Sequence, residues 1–149
     1  MKLAAARFLS LLFAALALAP AAAHLLELPN KIGLSREDYL TVQQLYRGWA
    51  LLGVVVIGAL VFTFAYAVMA RKQREPFMLA VIALLCLAGT QAVFWTLTFP
   101  ANQLTANWTV LPDNWAALRS QWEYSHAASA LLNLAALIAL IFSVLVREK

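Results

Sequence analysis

Apolar residues run through this chain in four long stretches, residues 8–28, 49–70, 77–99 and 125–146, separated by short segments in which charge, Pro and Asn collect. Each stretch is near the ~20 residues that a helix needs to cross the hydrocarbon of a bilayer. Between the first two, Ser35-Arg36-Glu37-Asp38 reads as a helix start, with a hydroxyl at the N-cap and acids in the first turn. The residues after it place Leu40, Gln43, Gln44 and Arg47 on one face and Tyr39, Val42 and Tyr46 on another, an external amphipathic helix that leads into the interfacial Trp49. Arg47 and Tyr46 are candidates to line a pocket there. The loop 71–76 is short and basic, so spans two and three form a tight hairpin. Residues 100–114 are expected to be irregular, with Pro112-Asp113-Asn114 opening the last helix. The pattern predicts an all-α, integral membrane four-helix bundle, one membrane domain over residues 1–149.

Composition agrees: 64% of residues are hydrophobic and 12% charged, about half the charged fraction of a soluble domain. Lysine and arginine set the orientation. With both termini and the 71–76 loop on one side, that side holds seven basic and two acidic residues, against four basic and five acidic on the other. This asymmetry predicts cytoplasmic termini in a bacterial inner membrane. The net charge of +4 therefore reflects topology and gives no argument for nucleic acid. Partners are expected to be the lipid bilayer and an apolar small molecule. The lone Cys86 reads as a small core residue.

The first stretch has two readings. Arg7, the apolar run and Pro20-Ala21-Ala22-Ala23 resemble a cleavable secretory signal, but apolar residues continue through Leu28, which favours a retained span. Cleavage after Ala23 would make His24 the N-terminus, where an amine beside an imidazole would suit copper.

Candidate chemistry sits at the ends of spans. The only two histidines each lie three residues from a glutamate, in His24-Leu25-Leu26-Glu27 and Glu123-Tyr124-Ser125-His126. Residues three apart share a helix face, and with opposite span directions the two pairs fall at matching depth on the outer side. In the last helix Arg119, Glu123, His126, Ala130 and Asn133 form one stripe, with Arg119, Trp122 and Glu123 expected on exposed first turns, and Asn133 expected to bond Gln91 of the third span. Three uses are open for the His and Glu groups. A carboxylate orients an imidazole that acts as a base without metal; a mononuclear Cu, Fe or Zn site takes its ligands from His24, Glu27, Glu123 and His126; or ion pairs fix helix register. Spans two and three carry no acid within them, so a di-metal carboxylate site is excluded.

The run Phe99-Pro100-Ala101-Asn102, with Trp115-Ala116-Ala117-Leu118-Arg119 and Trp122-Glu123-Tyr124-Ser125-His126, resembles the anthrone-oxygenase-like family of small four-span membrane proteins. The resemblance implies an oxygenase that needs no metal or organic cofactor, acting on an apolar phenolic or enolisable substrate. It implies functional weight for Asn102, Trp122 and His126, with His24 as a second polar group. His126 would be the base, oriented by Glu123 or Glu27, Trp122 would stack on the substrate, and Asn102 or Arg119 would stabilise the oxyanion. Family members often carry a basic residue about one turn after the histidine, where this chain has Ser129. The alternative is a membrane accessory or binding subunit in which the His and Glu pairs are structural.

Overall fold

The computed structural model describes residues 2–146. Helix α1 (Leu3–Lys31) is followed by the short α2 (Arg36–Gln43), two single turns at Gln44–Tyr46 and Trp49–Leu52, and helix α3 (Gly53–Ala70). Helix α4 (Arg74–Val93) continues through a widened turn at Phe94–Thr98 into α5 (Phe99–Leu104), and α6 (Trp115–Leu145) completes the chain. No strand occurs among the described residues. The fold is an all-α bundle with four helices long and apolar enough to cross a membrane.

α1 packs between α3 and α6, and α4 packs between the same two on the opposite side, so the four run alternately up and down around a ring. The interior of the shaft is made mostly of small residues, with Tyr66, Leu87 and Leu140 buried among them. Ala6, Ala14, Ala17, Ala59, Ala67, Ala80, Ala83, Ala136 and Ala139 are all buried, while Phe8, Leu16, Val61, Phe64, Leu85, Ile138 and Phe142 point outward. In lipid an outward leucine loses nothing, and close approach of backbones supplies the attraction. Gly58 marks the tightest approach: a Cβ there would lie 2.2 Å from the Phe13 ring.

Several elements differ from the sequence expectation. α1 runs one turn at each end beyond the apolar stretch and passes through Pro20 and Pro29, and Glu27 and Lys31 thereby share its last turns. The helix also continues past Phe99 to Leu104, where a loop was expected from Pro100. Proline lacks an N–H and crowds the preceding turn. The widened turn just before Pro100 absorbs that misfit. Ser35 caps α2 as expected, accepting from the Asp38 N–H at 3.2 Å.

Candidate functional site

One end of the bundle gathers the chemistry. α1 brings His24, Glu27 and Lys31 to it, and α6 brings Trp122, Glu123 and His126. The two imidazoles lie face against face, with ring centroids 4.2 Å apart and planes 32° from parallel. An aromatic wall surrounds them: Trp122 lies 4.2 Å from His126 and 5.0 Å from His24, Tyr46 lies 4.5 Å from His24, and Trp49 lies 5.4 Å from it. The matching depth expected of the two pairs is thus realised in a direct histidine contact.

The internal arrangement of each pair differs from expectation. No hydrogen bond joins an imidazole to a carboxylate among the described residues. Both acids instead turn to Lys31, whose Nζ lies 3.3 Å from Glu27 Oε2 and 3.3 Å from Glu123 Oε1. An ammonium between two carboxylates outweighs a neutral ring as a partner for either, because charge-assisted contacts are the stronger ones. Lys31 also donates to the Tyr46 hydroxyl at 2.8 Å and lies 4.7 Å and 5.3 Å from the ring centres of Tyr46 and Trp122. Tyr46 passes its own hydroxyl hydrogen to Glu27.

A second layer closes the site. Tyr39, fully buried, donates to Glu123 Oε1 at 2.9 Å, and the Gln43 amide donates to the Tyr39 oxygen. Gln43 therefore stands with Tyr39 on the inward face of α2, whereas Arg47 is exposed and bonds Gln44 at 3.0 Å. Burial pushes the Tyr39 hydroxyl far above the usual phenol range, and the nearby Glu123 charge and hydrogen bond add to the effect. The same holds for Tyr46, by burial first and then its bond to Glu27. Both hydroxyls are donors at any physiological pH.

The covering layer also buries Trp122 and Glu123, which the sequence placed on exposed turns. Trp122 donates its indole N–H to Asn102 Oδ1 at 2.8 Å, so two residues of the Pro100 to His126 motif are joined directly. Arg119 donates to the Leu34 carbonyl at 2.7 Å and lies over the rings of Trp115 and Tyr39. Its role here is to tie α6 to the segment before α2. Asn133 and Gln91, expected to bond each other across helices, each find a partner at home: Asn133 donates to the Ser129 carbonyl at 2.9 Å and Gln91 to the Thr90 hydroxyl at 3.3 Å. Cross-helix bonds above them are Thr98 to Ser125, at 2.7 Å, and Gln121 to the Leu97 carbonyl, at 2.8 Å.

Trp108 completes the wall. Ala106, Asn107 and Trp108 form a run of three left-handed residues, with φ of 46°, 55° and 60°. Each costs about 1 kcal/mol or more relative to ordinary backbone. That turn drives the Trp108 ring inward to 5.1 Å from Tyr39 and 5.7 Å from Trp122. Four buried polar atoms in this closed region have no hydrogen-bond partner among the described residues: His24 Nδ1, Trp108 Nε1, Arg119 Nε and Glu123 Oε2. Such groups are expensive to seal away unsatisfied, and in native proteins they commonly mark a ligand or an ordered water.

Sequence reasoning missed Lys31, Tyr39, Gln43 and Trp108 as members of this site. Glu27 and Lys31 are four apart, which was a readable signal, since that spacing pairs opposite charges on a helix. Trp108 had only a faint one: Asn107 tolerates the left-handed region, but neither Ala106 nor Trp108 favours it. Among the described residues no three His, Cys, Asp or Glu side chains gather as a metal centre requires. The donors are divided, imidazole with imidazole and carboxylates with the ammonium, and His24 lies within the body of α1.

Compared with known proteins, the chain matches no family model, no curated protein and no solved structure.

Proposed function

We propose that this is an integral membrane protein whose closed polar end, on the outer face of a bacterial inner membrane with the termini cytoplasmic, removes a proton from an apolar phenolic or enolisable substrate and allows its oxidation by dioxygen. The observation that carries the reading is the imidazole pair, held against an aromatic wall with His24 Nδ1 buried and unpartnered. A flat aromatic substrate would stack on Trp122, and His126 or His24 would take the proton. An electron-rich carbanion then passes an electron to dioxygen. Recombination of the carbon radical with superoxide gives a peroxide anion at the same carbon, the proton held by the imidazole returns to it, and loss of water leaves a carbonyl. The resemblance to anthrone oxygenases points to the same chemistry. The Lys31 ammonium, 5.3 Å from the Trp122 ring centre, takes the place of Arg119 as the stabiliser of a developing oxyanion, because Arg119 Nη1 is held by the Leu34 carbonyl.

The test is oxygen uptake by the full-length protein in lipid nanodiscs, with an anthrone as probe. The wild-type chain should consume oxygen, and His126→Ala should lower the rate at least about a hundredfold while staying folded. A folded His126→Ala protein with full activity would refute the assignment.

A second reading is favoured by one observation, the Glu27–Lys31–Glu123 cluster that bonds α1, α6 and, through Tyr39 and Tyr46, the segment between α1 and α3. The same groups could serve a non-enzymatic accessory or binding subunit. The double variant His126→Gln with Glu27→Gln separates the two: a structural site keeps its folding and phenotype, whereas a catalytic one folds and fails.

A further inference from the structure

The charges of this cluster do not balance. Lys31 faces two carboxylates, and one of them, Glu123, is fully buried with its second oxygen unbonded. A plain ion pair needs one acid. The accessibility of the three groups is graded: the Glu123 side chain is 0% exposed, Lys31 4% and Glu27 43%. Along that gradient the contacts are continuous, from Glu123 Oε1 to Lys31 Nζ at 3.3 Å, from Lys31 N–H to the Tyr46 oxygen at 2.8 Å, and from the Tyr46 O–H to Glu27. Tyr39 is bonded to Glu123, the rings of His24 and His126 lie beside the wall of Tyr46 and Trp122, and Arg119 lies behind Tyr39.

We infer that Lys31 and Tyr46 form a proton relay that connects the sealed carboxyl of Glu123 to Glu27 and the water beyond it. The inference rests on the reading that the site handles protons: oxidation of a methylene group by dioxygen to a carbonyl and water releases no net proton, and the relay resets the protonation of the sealed Glu123 between turnovers. In the relay, an N–H bond of Lys31 breaks as the proton passes to the Tyr46 oxygen, while the Tyr46 O–H proton passes to Glu27. The amine left on Lys31 then takes the proton of the Glu123 carboxyl and is an ammonium again. One proton leaves Glu123, one arrives at Glu27 and is released to water, and no electrons move. Beside its role toward an oxyanion, Lys31 thus carries protons between neighbouring groups as a relay residue.

The test uses the full-length chain in nanodiscs without substrate, so it is independent of any catalytic assay. Time-resolved infrared spectroscopy after a pH jump follows the carboxyl band of Glu123, identified by its loss in Glu123→Gln. Lys31→Arg keeps the charge and the ion pairs, but a guanidinium does not give up a proton in a protein. It should keep the melting temperature and slow protonation of Glu123 at least tenfold. Glu27→Gln, at the partly exposed end, should slow it similarly, and it serves if Lys31→Arg fails to fold. A Glu123 band that responds equally fast in the folded variants, or that never titrates while the wild-type chain stays folded, overturns the relay. Slow variants combined with no oxidation of any probe would uphold the relay and refute the enzymatic reading alone.

Discussion

The shaft of this bundle and its closed end obey different packing rules. In the shaft, alanines and one glycine let helices approach closely; Ser10 and Ser143 bond carbonyls of their own helix, and the Tyr66 hydroxyl crosses to the Ser143 carbonyl. At the closed end, large aromatics and charged side chains fill the interior, and the bonds of Lys31, Tyr39, Arg119 and Trp122 cross from one element to another. A helix pair in lipid is held by fit, so small residues suffice where nothing else is required. Buried charge is costly unless each group is partnered, so it accumulates only where a site demands it.

The sharpest way to break the contrast is at Lys31. Lys31→Met leaves Glu123 sealed without its counter-ion, and the folded state should lose about 3–5 kcal/mol, read as a lower midpoint in denaturation from detergent. A change under 1 kcal/mol would mean that the cluster carries no structural weight. In the shaft, Gly58→Leu drives a side chain into the Phe13 ring and should cost about 1–3 kcal/mol through helix separation alone, with the site residues unaffected. A chain as stable as wild type would show that α1 and α3 are free to part. Smaller again is the left-handed turn: Ala106→Gly should stabilise the fold by about 1 kcal/mol, measured the same way, because glycine adopts that backbone without strain. The smallest effect is spectroscopic. Tyr39 and Tyr46 hold their protons in the folded state beyond the pH at which they ionise when unfolded, so their contribution is complete below about pH 10 and is lost as pH rises further. Phenolate absorbance of wild type minus that of Tyr39→Phe should stay near zero at pH 10 and appear only with unfolding.

The shaft was legible because lipid imposes one rule on every residue that faces it, and a run of about 20 apolar residues obeys that rule whatever its neighbours are. The depth match of His24 and His126 was also legible, since it follows from helix periodicity and alternating direction. Less was readable where choice among partners decides the outcome. Glu27 and Glu123 each had a histidine at helical spacing, and both preferred a lysine that had been counted only for topology. Asn133 and Gln91 had similar depth, and each took a nearer acceptor. The inward aim of Trp108 depends on a backbone conformation that its sequence does not favour.

α1 holds 29 residues and α6 holds 31, lengths of about 44 Å and about 46 Å at about 1.5 Å per residue. The hydrocarbon layer of a typical bilayer is about 30 Å thick. The surplus turns must stand in the headgroup layer, and those of α1 carry Glu27 and Lys31. Lipid chain length thus becomes a dial on the site: short acyl chains leave the Glu27 carboxylate deep in interfacial water, whereas long chains draw it toward hydrocarbon and tighten its hold on Lys31.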